Sequence, residues 1–296
     1  AFCRDAASKA DVLIEGFRPG VMERLGLGPD ELLAANEGLV YARMTGWGQD
    51  GPLANAAGHD INYIALTGAL SAVGKAGEPP VPPQNLVGDF GGGSMYCAFG
   101  IMAALYEREL SGKGPVVDAA IVDGATSLMS FFSGARGRPF ITTERGKGML
   151  GGAAHFYRCF TCADGKEISL GSIEPQFYAE MLAKAGAPAE LAEGQMDVSK
   201  WDENAEKLAA LFKTKTRDEW REILEGTDAC FAPVLDIDEA REHPHMKARD
   251  TFVEHEGEWH TAPAPRFSRT PGAVRSSAED GADVVARWSA PGPDGA

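Results

Sequence analysis

Short apolar runs alternate with helical patterns in the first part of this chain. This alternation favours an α/β fold over an all-α or all-β one. The runs at residues 11–15, 38–44 and 116–122 have the length and composition of buried strands. Helical patterns and Gly-rich loops separate them, as in a parallel sheet covered by helices. Ligands bind such sheets at the carboxyl ends of the strands, where the loops at residues 16–20 and 45–52 would lie.

The sequence pattern changes near residue 156, where a hairpin signal with an Asp-Gly turn begins. Helical runs follow it. We therefore predict an α/β fold made of two domains. The predicted units are a Rossmann-like large domain, a linker, a small α+β domain, and a return linker with a C-terminal tail, at residues 1–133, 134–155, 156–248 and 249–296. The end of the tail, residues 290–296, has a composition typical of disorder.

Charge and cysteine usage exclude several classes of partner. The formal net charge of −15 argues against nucleic acid or an anionic membrane as the main partner. No apolar run reaches the ~18 residues of a membrane span. The five cysteines lack framework spacing, and Cys159 and Cys162 fit a hairpin better than a metal or redox site. A reducing cytoplasm fits this usage best.

Two titratable residues flank a stretch of small residues at positions 58–95. His59 stands in Gly-His-Asp-Ile-Asn-Tyr, and Asp89 precedes three glycines and an apolar helical run. Glycines before a helix leave its first N–H groups open, which favours anion binding. Each residue also has an ordinary interpretation: His59 as a turn histidine, Asp89 as a helix cap. Asp60 would equally serve as the N-cap of a helix that begins at Ile61.

Six segments together resemble the α-methylacyl-CoA racemases, a group within the family III CoA-transferase superfamily. The segments are Asp-Val-Leu-Ile-Glu-Gly-Phe-Arg-Pro-Gly-Val, Tyr-Ala-Arg-Met-Thr-Gly-Trp-Gly-Gln, Gly-His-Asp-Ile-Asn-Tyr, Asn-Leu-Val-Gly-Asp-Phe-Gly-Gly-Gly-Ser-Met, Val-Val-Asp-Ala-Ala-Ile-Val-Asp-Gly and Ile-Glu-Pro-Gln-Phe-Tyr. The resemblance spans about residues 11–270. Members of the family form interlocked homodimers and begin with an earlier Rossmann-like segment that carries part of the CoA site. We therefore expect this chain to be an N-terminally truncated member.

The resemblance implies a 1,1-proton transfer at the carbon beside a CoA thioester, with neither a metal nor a redox cofactor. On this interpretation His59 and Asp89 are the two acid/base residues. Backbone N–H groups of Asp89 and of the glycines after it are expected to stabilise the enolate oxygen. Glu174 matches the family residue that orients the histidine from the partner subunit, although it also fits an acid at a helix N-terminus.

The resemblance also assigns residues to binding of the acyl-CoA substrate. Arg18 and Arg24 are expected to contact its phosphates or adenine, although both also fit an ordinary solvated surface. The other predicted binding residues are Gly58, Asp60, Ile61, Asn62, Tyr63, Gly91 and Gly92. His155 stands where relatives carry a different residue, and we expect it near the acyl tunnel.

Two alternatives remain open at this point. A CoA-transferase of the same superfamily would use Asp89 as a nucleophile and form an acyl-aspartyl intermediate. His59 and Glu174 are not needed for that reaction, so their presence favours the racemase. A catalytically incomplete CoA-binding fragment is the second alternative.

Overall fold

A computed structural model describes residues 2–275 except 136 and 139, together with residues 281, 283, 284 and 286. The predicted disordered end lies outside these residues. Three strands, β1 (Val12–Glu15), β2 (Val40–Thr45) and β3 (Val116–Ala120), pair in parallel in that order. The pairing confirms the predicted α/β class.

Helices surround this parallel sheet. In chain order they are α1 (Phe2–Ala7), α2 (Val21–Arg24), α3 (Pro29–Ala35), α4 (Asp60–Leu66), α5 (Ala69–Ala72), α6 (Met95–Ser111), α7 (Ile121–Leu128) and α8 (Ser130–Gly134). The helix predicted to begin at Ile61 is α4, which ends at Leu66; a break at residues 67 and 68 separates it from α5. Gly68 there has a φ of 84°, a conformation that glycine adopts without steric cost.

The segment that carries Asp89 is itself helical, which corrects the expectation that its glycines stand before a helix. Residues Leu86–Ser94 form a π-helical segment that runs directly into α6. Its glycines permit close packing on α7. A Cβ on Gly92 would lie 2.5 Å from the backbone nitrogen of Ala125, and a Cβ on Gly124 would overlap the carbonyl of Gly92.

The second sheet is antiparallel and belongs to the predicted small domain. Its strands, in spatial order, are β4 (Tyr157–Thr161), β5 (Glu167–Gly171) and β6 (Phe231–Pro233). The accompanying helices are α9 (Pro175–Ala185), α10 (Trp201–Phe212), α11 (Arg217–Leu224), α12 (Ile237–Glu242) and α13 (Pro244–Ala248), and three short 3-10 turns lie at Met149–Gly151, Ala189–Ala192 and Val198–Lys200. The hairpin prediction is confirmed, and Gly165 occupies its turn with a φ of 80°.

One hairpin was not predicted. Strands β7 (Phe252–His255) and β8 (Glu258–Thr261) pair antiparallel across a two-residue turn. Glu256 and Gly257 both have positive φ there, at 53° and 83°. The pair Glu-Gly lacks the Asn-Gly or Asp-Gly signal that usually marks such a turn.

His155 falls in the predicted linker, but it is fully buried and packs against Phe156 and Tyr178 of the core beside β4 and α9. Its Nε2 atom lies 2.9 Å from the hydroxyl of Tyr178, which donates in turn to the carbonyl of Leu191. The other ring nitrogen, Nδ1, is buried and has no hydrogen-bond partner among the described residues. Burial, assisted by the charge of Arg158, lowers the pKa of His155 to about 4. The core thus holds the ring in its neutral form.

This burial predicts a pH-dependent stability. An unfolded histidine titrates with a pKa of about 6.5, whereas His155 in the folded chain stays neutral down to about pH 4. Only the unfolded state therefore gains this proton between those values, and the free energy of unfolding falls as the pH drops. The loss from this residue is up to about 3 kcal/mol.

Urea unfolding at a series of pH values measures this effect. In His155→Gln, which cannot titrate, we expect a smaller fall in the free energy of unfolding between pH 6.5 and 4 than in the wild type. Parallel curves for the two proteins over that range would contradict the assignment.

Candidate active site

A cleft of about 540 Å³ opens at the carboxyl ends of β1 and β2. The loops after both strands form part of its wall, as the parallel-sheet prediction requires. His59 and Asp89 both line this cleft, and so does Arg18. The structure therefore brings together two titratable residues that are 30 positions apart in the sequence.

His59 is placed by the start of α4. It is the N-cap residue of that helix, and its backbone N–H donates to Oδ1 of Asn62 at 3.1 Å. Its side chain is exposed at the cleft. The alternative in which Asp60 caps this helix is wrong, since Asp60 is the first residue inside it.

Asp60 instead connects the two motifs. Its side chain is only 7% exposed, and its Oδ2 atom accepts a hydrogen bond of 2.7 Å from the backbone N–H of Asp89. A carboxylate at the start of a helical segment stabilises the partial positive charge there. The same bond occupies the N–H that we expected to contact the thioester oxygen. That donor is therefore not free for substrate.

Tyr63 fills a slot beside the two titratable residues. Its ring packs edge-on against Trp47, with 4.8 Å between the ring centroids, and its hydroxyl donates to the carbonyl of Gly58. A Cβ on Gly58 would lie 2.7 Å from the Tyr63 ring, and a Cβ on Gly46 would overlap it. Burial, together with the nearby carboxylate of Asp89, raises the pKa of Tyr63. The loop of residues 45–52 was predicted at this edge of the sheet, but Trp47 and Gly46 were not named as site residues, although the Gly-Trp-Gly run was a visible signal.

The predicted binding residues divide into two groups. Arg18, Gly58 and Tyr63 line the cleft. The remaining ones do not form its described walls: Arg24, Asp60, Ile61, Asn62, Gly91 and Gly92. Gly91 and Gly92 lie inside the π-helical segment, and Gly92 is buried against α7. Contact of this second group with substrate stays a prediction.

Glu174 lies between β5 and α9, in the region predicted as the small domain. It is exposed and immediately precedes Pro175, the first residue of α9. It does not belong to the described walls of the cleft in its own chain. Burial and the charge of Glu174 raise the pKa of the Cys230 thiol, which places these two side chains near each other.

In the Cys-x-x-Cys pair, Cys162 is buried and Cys159 is exposed. Burial, with a contribution from the charge of Asp164, raises the pKa of Cys162 to about 11, so its thiol stays protonated at neutral pH. Across the described residues, no cluster of three or more His, Cys, Asp or Glu side chains is arranged to hold a metal ion. None of the described helices is long and apolar enough to cross a membrane.

Comparison with known proteins identifies clear relatives. The sequence profile of CoA-transferase family III matches residues 1–283. The alpha-methylacyl-CoA racemase of Mus musculus is 46% identical over 279 residues, which cover 94% of this chain and 73% of that protein. The Homo sapiens alpha-methylacyl-CoA racemase is 43% identical and covers 92% and 71%. The crystal structure of Rv3272 from Mycobacterium tuberculosis superposes with a TM-score of 0.75 at 26% identity, covering 92% of this chain and 74% of that one.

Proposed function

Because this chain belongs to CoA-transferase family III, we propose that it is an isomerase that interconverts the two configurations of 2-methylacyl-CoA thioesters. The observation that carries the proposal is the presence of His59 and Asp89 in one cleft. The identity of 43–46% to two racemases supports it. The reaction needs neither a metal nor a redox cofactor, and the cytoplasm is the proposed location.

The proposed chemistry replaces the α-proton of the thioester with a different proton delivered to the opposite face. One of the two residues, His59 or Asp89, removes the α-proton, and the electron pair of the broken C–H bond moves into a thioester enolate. The other residue returns a proton to the opposite face of the same carbon. A positioned acid/base group of this kind contributes ~10²–10⁴-fold to the rate. Two groups of matched proton affinity allow the reaction to run in both directions.

The enolate oxygen also needs hydrogen-bond donors. The backbone N–H of Asp89 is occupied by Asp60, so other donors must serve. Helix α4 begins directly after His59, and the first N–H groups of a helix have no intrahelical acceptor. The proposed donors are the first N–H groups of α4, those of Asp60 and Ile61; the side chains of these residues lie outside the described cleft walls, but they directly follow His59, which lines the cleft. The loss of one such donor typically lowers kcat by ~10²–10³-fold.

The proposed assembly is a homodimer with its active site at the subunit interface. Glu174 does not form the described walls of its own cleft, so the proposed carboxylate would come from a second copy. Helix α6 also presents large apolar side chains to solvent at a spacing that places them on one face. These exposed side chains are Met95, Phe99, Met102, Tyr106 and Leu110. An apolar face of this extent favours coverage by another surface.

Mixing two inactive variants tests the subunit contribution. We expect His59→Ala and Glu174→Ala each to lose activity alone. After subunit exchange, a mixed dimer regains one complete site, so about one quarter of all sites should recover. No recovery in a sample that forms mixed dimers would show that Glu174 acts within its own chain or not at all.

The activity itself is tested with a single configuration of 2-methylacyl-CoA and separation of the stereoisomers over time. We expect an equal mixture at equilibrium. Transfer of CoA to a second carboxylic acid, with an acyl group on Asp89, would establish the transferase instead. Binding of CoA without either reaction would identify the incomplete CoA-binding fragment.

A further inference from the structure

Arg43 lies near the cleft but differs from the two arginines that we propose as phosphate contacts. Arg18 and Arg24 are exposed, whereas Arg43 is only 6% exposed. It stands on β2 and pairs in register with Glu15 of β1. A buried guanidinium requires partners for its charge, and the structure supplies two carboxylates.

The two carboxylates flank the loop at residues 16–20 that carries Arg18. The Nε atom of Arg43 donates to Oε1 of Glu15, which ends β1, at 2.7 Å. The Nη1 atom donates to Oε1 of Glu23, in α2, also at 2.7 Å. One guanidinium therefore fixes both ends of the loop. Its fork of donors makes this double contact possible, which the single ammonium of a lysine would not.

Two further hydrogen bonds stabilise the backbone of the loop at residues 16–20. The second oxygen of Glu15, Oε2, accepts a hydrogen bond of 2.7 Å from the backbone N–H of Phe17. The carbonyl of Arg18 accepts from the N–H of Val21 at 3.1 Å. The backbone of Arg18 is thus held on both sides, by Glu15 through Phe17 and by α2 through Val21.

The charge of Arg43 is already paired with carboxylates, which makes Arg43 unsuited to bind a phosphate directly. Burial alone would lower the pKa of Arg43, but its hydrogen bonds to Glu23 and Glu15 outweigh burial and raise it. The pKa of Glu23 is lowered in turn, chiefly by its hydrogen bond to Arg43. The positive charge is therefore permanent and already compensated, so little attraction remains for an external anion.

We propose that Arg43 is a positioning residue for substrate binding, which holds the loop of residues 16–20 so that Arg18 faces the nucleotide phosphates of CoA. The inference rests on the proposed function, because it assumes a CoA thioester as the ligand. It assigns Arg43 a role in binding affinity, and it leaves the proton transfer to His59 and Asp89.

The test compares Arg43→Met with Arg18→Gln by calorimetric titration of free CoA at two salt concentrations. For Arg43→Met we expect Kd to rise about tenfold, the equivalent of one charged hydrogen bond. The racemisation kcat should stay within about twofold of wild type, because a change in affinity alone acts on KM. Arg18→Gln should reduce the salt dependence of Kd because it removes a charge at the phosphates, and Arg43→Met should reduce it less because the displaced Arg18 keeps its charge.

Two milder variants, Glu23→Gln and Arg43→Lys, test the same role if Arg43→Met does not fold. Glu23→Gln alters the α2 anchor at an exposed position, and we expect Kd to rise about two- to threefold. Arg43→Lys should bind CoA with intermediate affinity. Unchanged CoA affinity in folded Arg43→Met, or a fall in kcat without a change in Kd, would overturn the positioning role.

The wild-type measurements distinguish failure of the proposed reaction from failure of the role proposed for Arg43. A wild type that binds CoA and does not racemise the thioester overturns the proposed reaction, while the CoA titrations still test Arg43. A wild type that binds no CoA overturns both.

Discussion

Replacement of Asp89 by Ala is expected to lower the rate of racemisation by at least about 10³-fold. Asp89 lines the cleft, and the proposed reaction needs it as one of two proton-transfer groups. Its backbone is held independently of its side chain, because its N–H is bonded to Asp60. The substitution should therefore remove the carboxylate without releasing the segment that carries it. Asp30→Ala, at an exposed position in the first turn of α3, serves as a control and should stay within about twofold of wild type.

The single variants should also differ from each other in stereochemistry. His59→Ala and Asp89→Ala each leave one acid/base group on one face of the substrate. In D₂O we expect each variant to exchange the α-proton of one configuration only, and to invert neither. Equal exchange of both configurations by either variant would contradict a two-base mechanism. Chromatographic separation of the stereoisomers followed by mass spectrometry measures both quantities.

Replacement of Gly124 by Ala is expected to destabilise the fold by about 3 kcal/mol or more. An added Cβ would overlap the carbonyl of Gly92, which belongs to the backbone of the π-helical segment. Backbone atoms move less easily than a flexible side chain, so α7 and that segment would have to separate. Because the same segment carries Asp89, the displacement should also lower activity.

Urea unfolding compares this variant with Gly134→Ala as the matched control. Gly134 lies in α8, and a Cβ there meets no described atom within 4 Å. The control should be neutral or stabilised by up to about 1 kcal/mol, since alanine favours a helix. Similar unfolding free energies for the two variants would contradict the close packing between α7 and the π-helical segment.

Local patterns account for the parts of the fold that the sequence predicts correctly. The apolar strands, the Asp-Gly hairpin turn and Pro175 at the first position of α9 are each recognised within a few residues. The pairing of His59 with Asp89 in one cleft was predicted from a resemblance, and the structure places both residues there. Their chemical roles remain proposals.

The missed features depend on contacts between distant residues. Glycine usually interrupts a helix, so the π-helical segment at Leu86–Ser94 runs against its local propensity, and packing on α7 accounts for it. The bond between Asp60 and the N–H of Asp89 joins residues 29 positions apart. Arg43 and Glu15 are 28 positions apart. No short sequence pattern encodes these distances.

The surroundings of His155 also depend on contacts between distant residues. Its departure from the family pattern suggested a position near the acyl tunnel. In the structure it is fully buried and contacts Tyr178 in the small-domain core. Sequence comparison identifies an unusual residue, but only the packing around it shows whether it contacts solvent, substrate or core.

The most direct test of the central claim is the exchange of the α-proton in D₂O, with wild-type protein and one configuration of 2-methylacyl-CoA. The proposed mechanism predicts that deuterium enters the α-carbon as the opposite configuration accumulates, with no acyl group bound to the protein. Formation of an acyl-aspartyl adduct at Asp89, without deuterium at the α-carbon, would contradict it and establish a CoA-transferase.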